Sequence, residues 1–196
     1  MLFETEIKVK IKDDKKFNEI LVKCRSEAHW AGEYSLQRDE YYDTKEELLK
    51  ETDMTVRLRM VSDEISVALK GPRQFITDKM HKRIELEFKV ANEDEIREQI
   101  HNNELLATAI IEKKRWPFKI CDCLVVVDQL PFIGSFLEVE GDKTVSIEKV
   151  LSILEVSSKD AVRENYTELL EIVLPKFGLP IRPNMKATFR IEGSNL

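Results

Sequence analysis

The first strand-like stretch of the chain carries charged residues whose types and spacing could bind a metal ion and a phosphate. Glu4, Glu6 and Lys8 occupy every second position, and apolar residues such as Ile7 and Val9 fill the others. Alternate side chains of a strand share one face, so the two carboxylates lie about 7 Å apart and the ammonium about 7 Å further on. Carboxylate oxygens are ligands that Mg²⁺ and Mn²⁺ prefer, whereas an ammonium suits phosphate oxygens. By itself, this alternation is also typical of the solvated face of an ordinary amphipathic strand.

The same alternation of charged and apolar residues returns in later strand-like segments. The charge-bearing faces hold seven acids and seven bases: Glu4, Glu6, Lys8, Arg57, Arg59, Lys70, Arg83, Glu85, Glu87, Lys113, Arg115, Asp128, Glu138 and Glu140. The opposite faces are apolar, and amphipathic segments with helical spacing lie between the strands. We therefore predict an α+β fold in which one antiparallel sheet of about eight strands closes or nearly closes, with helices packed outside and the charges inside.

A barrel lumen lined by charges predicts a binding site. Such a lumen is costly unless its charges are paired, hydrated or bound to a ligand, and about eight strands leave it narrow. A metal-bound triphosphate would pair with both the acidic and the basic side chains of the lumen, because acids hold hard cations and arginines bind phosphate bidentately. The alternative is a flat sheet whose salt-bridged face is open to solvent. The repetition in so many segments favours the tunnel.

Length and composition restrict the class of protein. The 196 residues suit one domain with a substantial core, and no stretch approaches the ~20 apolar residues of a membrane span. The acidic start of the chain is unlike a signal peptide, so we expect the cytoplasm. A net charge of −6 argues against binding nucleic acid by bulk electrostatics. The three cysteines and three histidines are not spaced like zinc ligands.

The remaining segments give the expected frame. Five segments have helical patterns. They run from Asp13 or Asp14 to near Gly32, from Lys45 to Lys50, from Asn92 to Asn103, from Ser146 to near Leu154, and from Ser157 or Ser158 to near Leu174. Asp39 and Glu40 are expected to be surface charges. The structure of Gln74–Met80 stays open, and the segment from Ala187 to Ile191 is either a last strand or part of a docked tail.

An ordered set of short motifs resembles a known family, the CYTH superfamily of triphosphate tunnel metalloenzymes. The motifs are Glu4-x-Glu6-x-Lys8, Tyr42-Asp43-Thr44, Val56-Arg57-Leu58-Arg59, Leu69-Lys70-Gly71-Pro72, Arg83-x-Glu85-x-Glu87, Lys113-x-Arg115, Asp128 and Gly134-x-Phe136-x-Glu138-x-Glu140. The resemblance covers residues 2–172 and implies an eight-stranded antiparallel tunnel flanked by helices. We accordingly assign residues 1–174 to a CYTH domain and residues 175–196 to an extension or docked tail of the same domain.

The resemblance also implies roles for the charged residues. Glu4, Glu6, Glu138 and Glu140 would hold Mg²⁺ or Mn²⁺, with two ions expected, and Glu85, Glu87 and Asp128 would assist directly or through water. Lys8, Arg57, Arg59, Lys70, Arg83, Lys113 and Arg115 would grip the phosphates of a triphosphate-containing small molecule. Lys8 is also our candidate for the general base.

The family contains class IV adenylyl cyclases, thiamine triphosphatases and inorganic triphosphatases, so the reaction needs a separate argument. Cyclases typically carry a His-Phe pair shortly before the Glu-x-Glu-x-Lys motif, and this sequence has none there, which favours hydrolysis of a nucleoside, inorganic or thiamine triphosphate. The Lys-Gly-Pro turn and Tyr166-Thr167-Glu168-Leu169-Leu170 are more similar to the cyclase branch, so a class IV adenylyl cyclase is the alternative. A non-catalytic polyphosphate or nucleotide-binding module is the third hypothesis. A homodimer is compatible with the outward apolar area.

Overall fold

The computed structural model describes residues 2–189 of the chain. Its strands are β1 (Leu2–Ile11), β2 (Trp30–Ala31), β3 (Ser35–Asp43), β4 (Thr55–Val61), β5 (Glu64–Lys70), β6 (Gln74–Phe75), β7 (Met80–Val90), β8 (Leu106–Ile120), β9 (Cys123–Leu130), β10 (Gly134–Gly141), β11 (Ala161–Val162) and β12 (Met185–Ala187). Its α-helices are α1 (Asp14–Glu27), α2 (Leu48–Glu51), α3 (Glu93–Asn102), α4 (Thr144–Ile153) and α5 (Tyr166–Val173).

Eight of the strands form a closed antiparallel barrel. Their order is β1-β10-β9-β8-β3-β4-β5-β7, and β7 pairs back with β1 to complete the ring. The predicted α+β barrel is therefore confirmed. The two-residue strands β2, β6 and β11 and the three-residue strand β12 pair with its members from outside the ring.

The helices cover part of the apolar outer face of the barrel, as the sequence pattern predicts, whereas Leu69 of β5 and Leu86 and Phe88 of β7 stay 40–48% exposed. Buried residues of α1 and α4, such as Ile20 and Ile147, pack in one cluster with Val9 of β1 and Val125 of β9. A second cluster joins Ile100 of α3 to β4 and β5. Since apolar area is removed from water on the outside, the barrel does not need an apolar lumen for its stability. No helix within residues 2–189 is both long and apolar enough to cross a membrane.

Some of the predicted helix boundaries are confirmed, and others differ by several residues from those in the structure. Asp13 caps α1 and Asn92 caps α3, as predicted, because their side chains accept hydrogen bonds from backbone N–H groups of the first turn. The end of α1 is at Glu27, not near Gly32, since the chain then turns extended and β2 pairs with β8. The start of α4 is at Thr144, before the predicted Ser146.

The predicted helix from Ser157 or Ser158 to Leu174 is wrong in its first half. Residues Ser158–Asp160 form only a 3₁₀ turn, and Ala161–Val162 pair with Lys8 and Val9 of β1. This pairing is available because β7 accompanies β1 only as far as Ile7. The helix begins instead at Tyr166, where Asn165 and Glu168 form a reciprocal capping box.

Of the two segments that the sequence leaves open, the first contains a short strand, and the second begins at Ala187, where another short strand ends. Gln74–Phe75 pairs with the start of β7, and Met185–Ala187 runs parallel to Ala109–Ile111 of β8. β9 pairs only with β8 residues 114–120, so the earlier part of β8 offers a free edge to β12. Of the predicted Ala187–Ile191 segment, Arg190 and Ile191 lie outside the described residues.

One end of the barrel is covered by the segment that follows β11. Beyond the last charged residues, the lumen faces of β10 and β8 continue with Phe136 and Ile111. These two residues belong to one buried cluster, which also contains Tyr166 and Leu170 of α5 and Met185 of β12. This cluster lies where β9 ends and β10 begins, so α5 and β12 pack over that end of the lumen.

Candidate active site

The barrel brings the predicted charged residues together in one hollow. A cavity of about 200 Å³ is lined by thirteen of the fourteen: Glu4, Glu6, Lys8, Arg57, Arg59, Lys70, Arg83, Glu85, Glu87, Lys113, Arg115, Glu138 and Glu140. The fourteenth, Asp128, is fully buried behind the wall and accepts two hydrogen bonds from Arg115, at 2.7 and 2.5 Å. The flat-sheet alternative is thereby excluded.

The acidic part of the wall is formed by two neighbouring strands. Glu6 of β1 is directly opposite Glu140 of β10, and Lys8 is opposite Glu138, to which its ammonium lies at 3.4 Å. Burial, together with the charges of Glu6 and Glu138, raises the pKa of Glu140 to about 7. Burial, a hydrogen bond shared with Glu85 and the charge of Glu140 raise the pKa of Glu4 to about 9. These carboxyls are therefore crowded when no cation accompanies them.

Two other carboxyls of the cavity are held ionised by their neighbours. Burial alone would raise the pKa of Glu85, yet the hydrogen bond from Glu4 and the charges of Lys70 and Arg57 lower it to about 2. Burial opposes ionisation of Glu6 too, but a contact with His81 and the charges of Lys8 and Lys70 lower its pKa. Neutral and ionised carboxyls thus lie side by side.

The acidic wall fits a hard divalent cation by its donor chemistry. Within residues 2–189, no three His, Cys, Asp or Glu side chains already converge in a metal-binding arrangement. Mg²⁺ does not require such a cage, because it usually takes one or two carboxylates and completes its shell with water and substrate phosphates. Burial is the main cause of the raised pKa values of Glu4 and Glu140, and a cation between β1 and β10 would relieve the repulsion from neighbouring carboxylates that adds to it.

The basic residues of the cavity are mostly paired with acids of the same wall. Arg57 lies 3.7 Å from Glu85 and 3.5 Å from Glu87, while Lys70 is ion-paired with Glu85. The Nε–H of Arg57 is buried and has no hydrogen-bond partner among the described residues. Arg83 is the exception, because it donates to the backbone oxygen of Gly71 at 2.9 Å and so fixes the turn after β5.

Asp39 is a site residue that the sequence analysis missed. The prediction that Asp39 and Glu40 are surface charges is wrong. Asp39 is 1% exposed and accepts two hydrogen bonds from Arg59, at 2.7 and 2.8 Å, and its carboxylate lies 3.3 Å from the ammonium of Lys113. Glu40 faces the other way and is buried beneath α3, where Arg97 binds it at 2.8 Å. The two-residue alternation puts Asp39 and Glu40 on opposite faces of β3, and the pairing of Asp39 with Arg59 of β4 identifies which of the two faces the lumen.

The lysine most strongly affected by the lumen is Lys113. Burial and the adjacent positive charges of Arg115 and Arg59 lower the pKa of Lys113 to about 7, although Asp39 and Asp128 oppose the shift. A lysine in this state can accept or release a proton near neutral pH. Lys113 therefore joins Lys8 as a candidate for proton transfer.

Tyr166 forms the inner wall at the covered end of the lumen. Its hydroxyl donates to Asp128 at 3.0 Å, and the ammonium of Lys8 lies 4.5 Å from the centre of its ring. Its ring packs edge-on against Phe136. Burial and the charges of Asp128 and Glu138 raise the pKa of Tyr166, so the phenol stays protonated and keeps donating.

Replacing Tyr166 by Phe should lower the free energy of unfolding by about 2 kcal/mol, because a hydrogen bond to a charged group is lost while the ring remains. Urea unfolding of both proteins measures this difference. Tyr34→Phe is the matched control, since Tyr34 is about half exposed, and its change should stay within about 0.5 kcal/mol. Equal stabilities of the two variants would contradict the assigned bond.

Comparisons with known proteins agree with the fold and identify the family of the chain. Over 178 residues the chain is 29% identical to a provisionally assigned adenylate cyclase of Methanocaldococcus jannaschii, covering 86% of this chain and 98% of that protein. The fold is similar to a solved structure of a Pyrococcus horikoshii protein, with a TM-score of 0.69, 21% identity, and coverage of 86% of this chain and 98% of that one.

A plant protein gives a second structural comparison. It is a provisionally assigned adenylyl cyclase from Hippeastrum, described as revealing a dominant triphosphatase activity. Its TM-score is 0.65 at 13% identity, over 91% of this chain and 97% of that one. At such identities the two structures show the fold alone. The sequence profile of the CYTH domain matches residues 2–166, which include all eight strands of the barrel, and the chain belongs to the CYTH domain family.

Proposed function

We propose that the protein is a divalent-metal-dependent triphosphatase that hydrolyses a nucleoside, inorganic or thiamine triphosphate inside the barrel. The observation that carries this proposal is the lining of one cavity by seven basic residues together with six carboxylic acids. Seven cations alone would suit any polyanion. The acids add the oxygen ligands of a hard cation, which a pure anion-binding module does not need.

The basic residues would bind and orient the phosphate chain. Arg57 lines the cavity with an Nε–H that has no hydrogen-bond partner among the described residues, and Asp39 holds Arg59 and Lys113 in place. Such preorganised donors cost little rearrangement when charge develops on the transferred phosphoryl group. Glu138 bridges Lys8 and Arg115, with distances of 3.4 and 2.9 Å, and so keeps these two cations on the same wall.

Four carboxylates of β1 and β10 would hold Mg²⁺ or Mn²⁺ as the pair of ions expected from the family: Glu4, Glu6, Glu138 and Glu140. Glu85 and Glu87 line the same cavity. When bound, such ions neutralise phosphate charge and lower the pKa of a coordinated water. Lys8 and Lys113 are the residues we assign to proton transfer, because both ammonium groups line the cavity. Asp128 is not exposed to the cavity, and we assign it to orienting Arg115.

The direct test is phosphate release from tripolyphosphate, ATP and thiamine triphosphate with Mg²⁺ or Mn²⁺. We expect orthophosphate from at least one of them and none after chelation of the metal with EDTA. Tight binding without turnover under either ion would instead support the non-catalytic module. Failure of all three substrates to bind or react would contradict the proposal.

A class IV adenylyl cyclase is the second candidate, and the relative from Methanocaldococcus jannaschii favours it. Both reactions need the same grip on a triphosphate, so the lumen residues alone do not separate them. The products from ATP do: hydrolysis gives ADP and orthophosphate, whereas cyclisation gives cyclic AMP and pyrophosphate. Separating the products by chromatography therefore decides between the two candidates.

A further inference from the structure

A histidine outside the predicted charge set lies beside one of the proposed metal ligands. His81 is directly opposite Glu6 in the pairing of β7 with β1. It lies on the same face of β7 as Arg83 and Glu85, because the three residues occupy every second position. The Nε2 atom of His81 lies 3.2 Å from Oε1 of Glu6. Since the histidine side chain is only 7% exposed, this contact is shielded from water.

The position of the imidazole is restricted from a second side. Phe75 of β6 is opposite His81 on the other edge of β7, and the centres of their rings are 5.5 Å apart. The buried Nε2 atom of His81 makes no hydrogen bond of good geometry within residues 2–189. Its contact with Oε1 of Glu6 is close enough for one, but it does not have the geometry of a hydrogen bond. A buried ring nitrogen without another partner costs free energy unless it donates to the carboxylate beside it.

From this juxtaposition we infer that His81 is a positioning residue, which donates from Nε2 to Oε1 of Glu6 and leaves the other carboxylate oxygen directed to the cation. The inference rests on the proposed role of Glu6 as a metal ligand. Ligating carboxylates are commonly oriented by hydrogen bonds from a second layer of residues, and loss of such a partner weakens metal affinity about 10- to 100-fold.

The test compares Mn²⁺ binding by three variants, measured by electron paramagnetic resonance without substrate. His81→Leu removes the donor and keeps a similar volume, so Mn²⁺ affinity should fall about 10- to 100-fold. His81→Gln places an amide N–H at a similar reach and should restore most of the affinity. His81→Asn is one methylene shorter and should not, which keeps the comparison valid if the leucine variant does not fold.

A double variant separates positioning from a general structural role. If His81 acts through Glu6, His81→Leu should weaken Mn²⁺ binding no further when Glu6→Gln is already present. His101→Leu is the matched control, because His101 is exposed on α3 and its loss should change nothing. Equal Mn²⁺ affinity of wild type and His81→Leu, or equal losses with Leu and Gln, would overturn the inference. A directly coordinated imidazole nitrogen in the pulsed spectrum would also overturn it.

These measurements do not depend on turnover. A wild-type protein that binds Mn²⁺ but hydrolyses no triphosphate would refute the proposed function and leave the role of His81 to be judged by the variants. A wild-type protein that binds no Mn²⁺, with or without tripolyphosphate, would overturn the inference itself.

Discussion

Replacing Glu4 and Glu6 together by Gln should reduce metal-dependent phosphate release by about 10³-fold or more. A bound divalent ion contributes several kcal/mol of charge stabilisation in the transition state, and each 1.36 kcal/mol corresponds to a factor of ten in rate. The amides keep the shape of the wall but remove two of the four carboxyls that line it on β1 and β10. Steady-state release of phosphate at saturating Mn²⁺ measures the effect, and Mn²⁺ titration should show the accompanying loss of affinity.

The same double variant should remain folded, which makes the loss of activity interpretable. Burial and the neighbouring carboxyls already favour the neutral form of Glu4, so its replacement by Gln mimics the metal-free state. The control is Asp142→Asn, an exposed carboxyl just beyond β10, which should keep full activity. If the double variant retained metal-dependent turnover, Glu4 and Glu6 would not be the metal ligands.

Replacing Asp39 by Asn should destabilise the protein by about 3–5 kcal/mol, because it leaves the buried guanidinium of Arg59 without its anion. The fully buried carboxylate is ionised in the native protein, since Arg59 and Lys113 outweigh burial and lower the pKa of Asp39. Urea unfolding at neutral pH measures the loss. Added tripolyphosphate should recover part of it, because a bound anion would lie beside the same guanidinium.

A surface ion pair supplies the matched control for Asp39. Glu64 pairs with Lys89 at 2.8 Å, but both side chains are mostly exposed. Glu64→Gln makes the same acid-to-amide change, and an exposed pair contributes only about 0.2–1 kcal/mol. Similar losses for the two variants would show that the Asp39 cluster is not the buried support of the phosphate-binding cations.

The strand alternation by itself determined the barrel and most of the lumen. Because side chains of a strand point to alternate faces, the charges of Glu6, Arg59 and Glu138 could be assigned to one side before any strand was paired. The apolar residues between them required a cover, and the amphipathic helices supplied it. The same rule would also have placed His81 on the lumen face, because it alternates with Arg83 and Glu85. It does not place Asp39, because both faces of β3 carry charges.

Only the tertiary structure decided which of these charged side chains are neighbours and which of them are protonated. The register of β1 against β10 and β7 places Glu6 opposite both Glu140 and His81, residues distant in the sequence. Burial depends on the closed ring, so the lowered pKa of Lys113 has no counterpart in the local sequence. The end of the lumen was likewise undetermined, because Tyr166 reaches Asp128 only when α5 packs across the barrel. The local alternation in a strand determines on which face of the sheet a side chain lies. The pairing of distant strands determines which side chains are its neighbours, and the chemistry of this site depends on those neighbours.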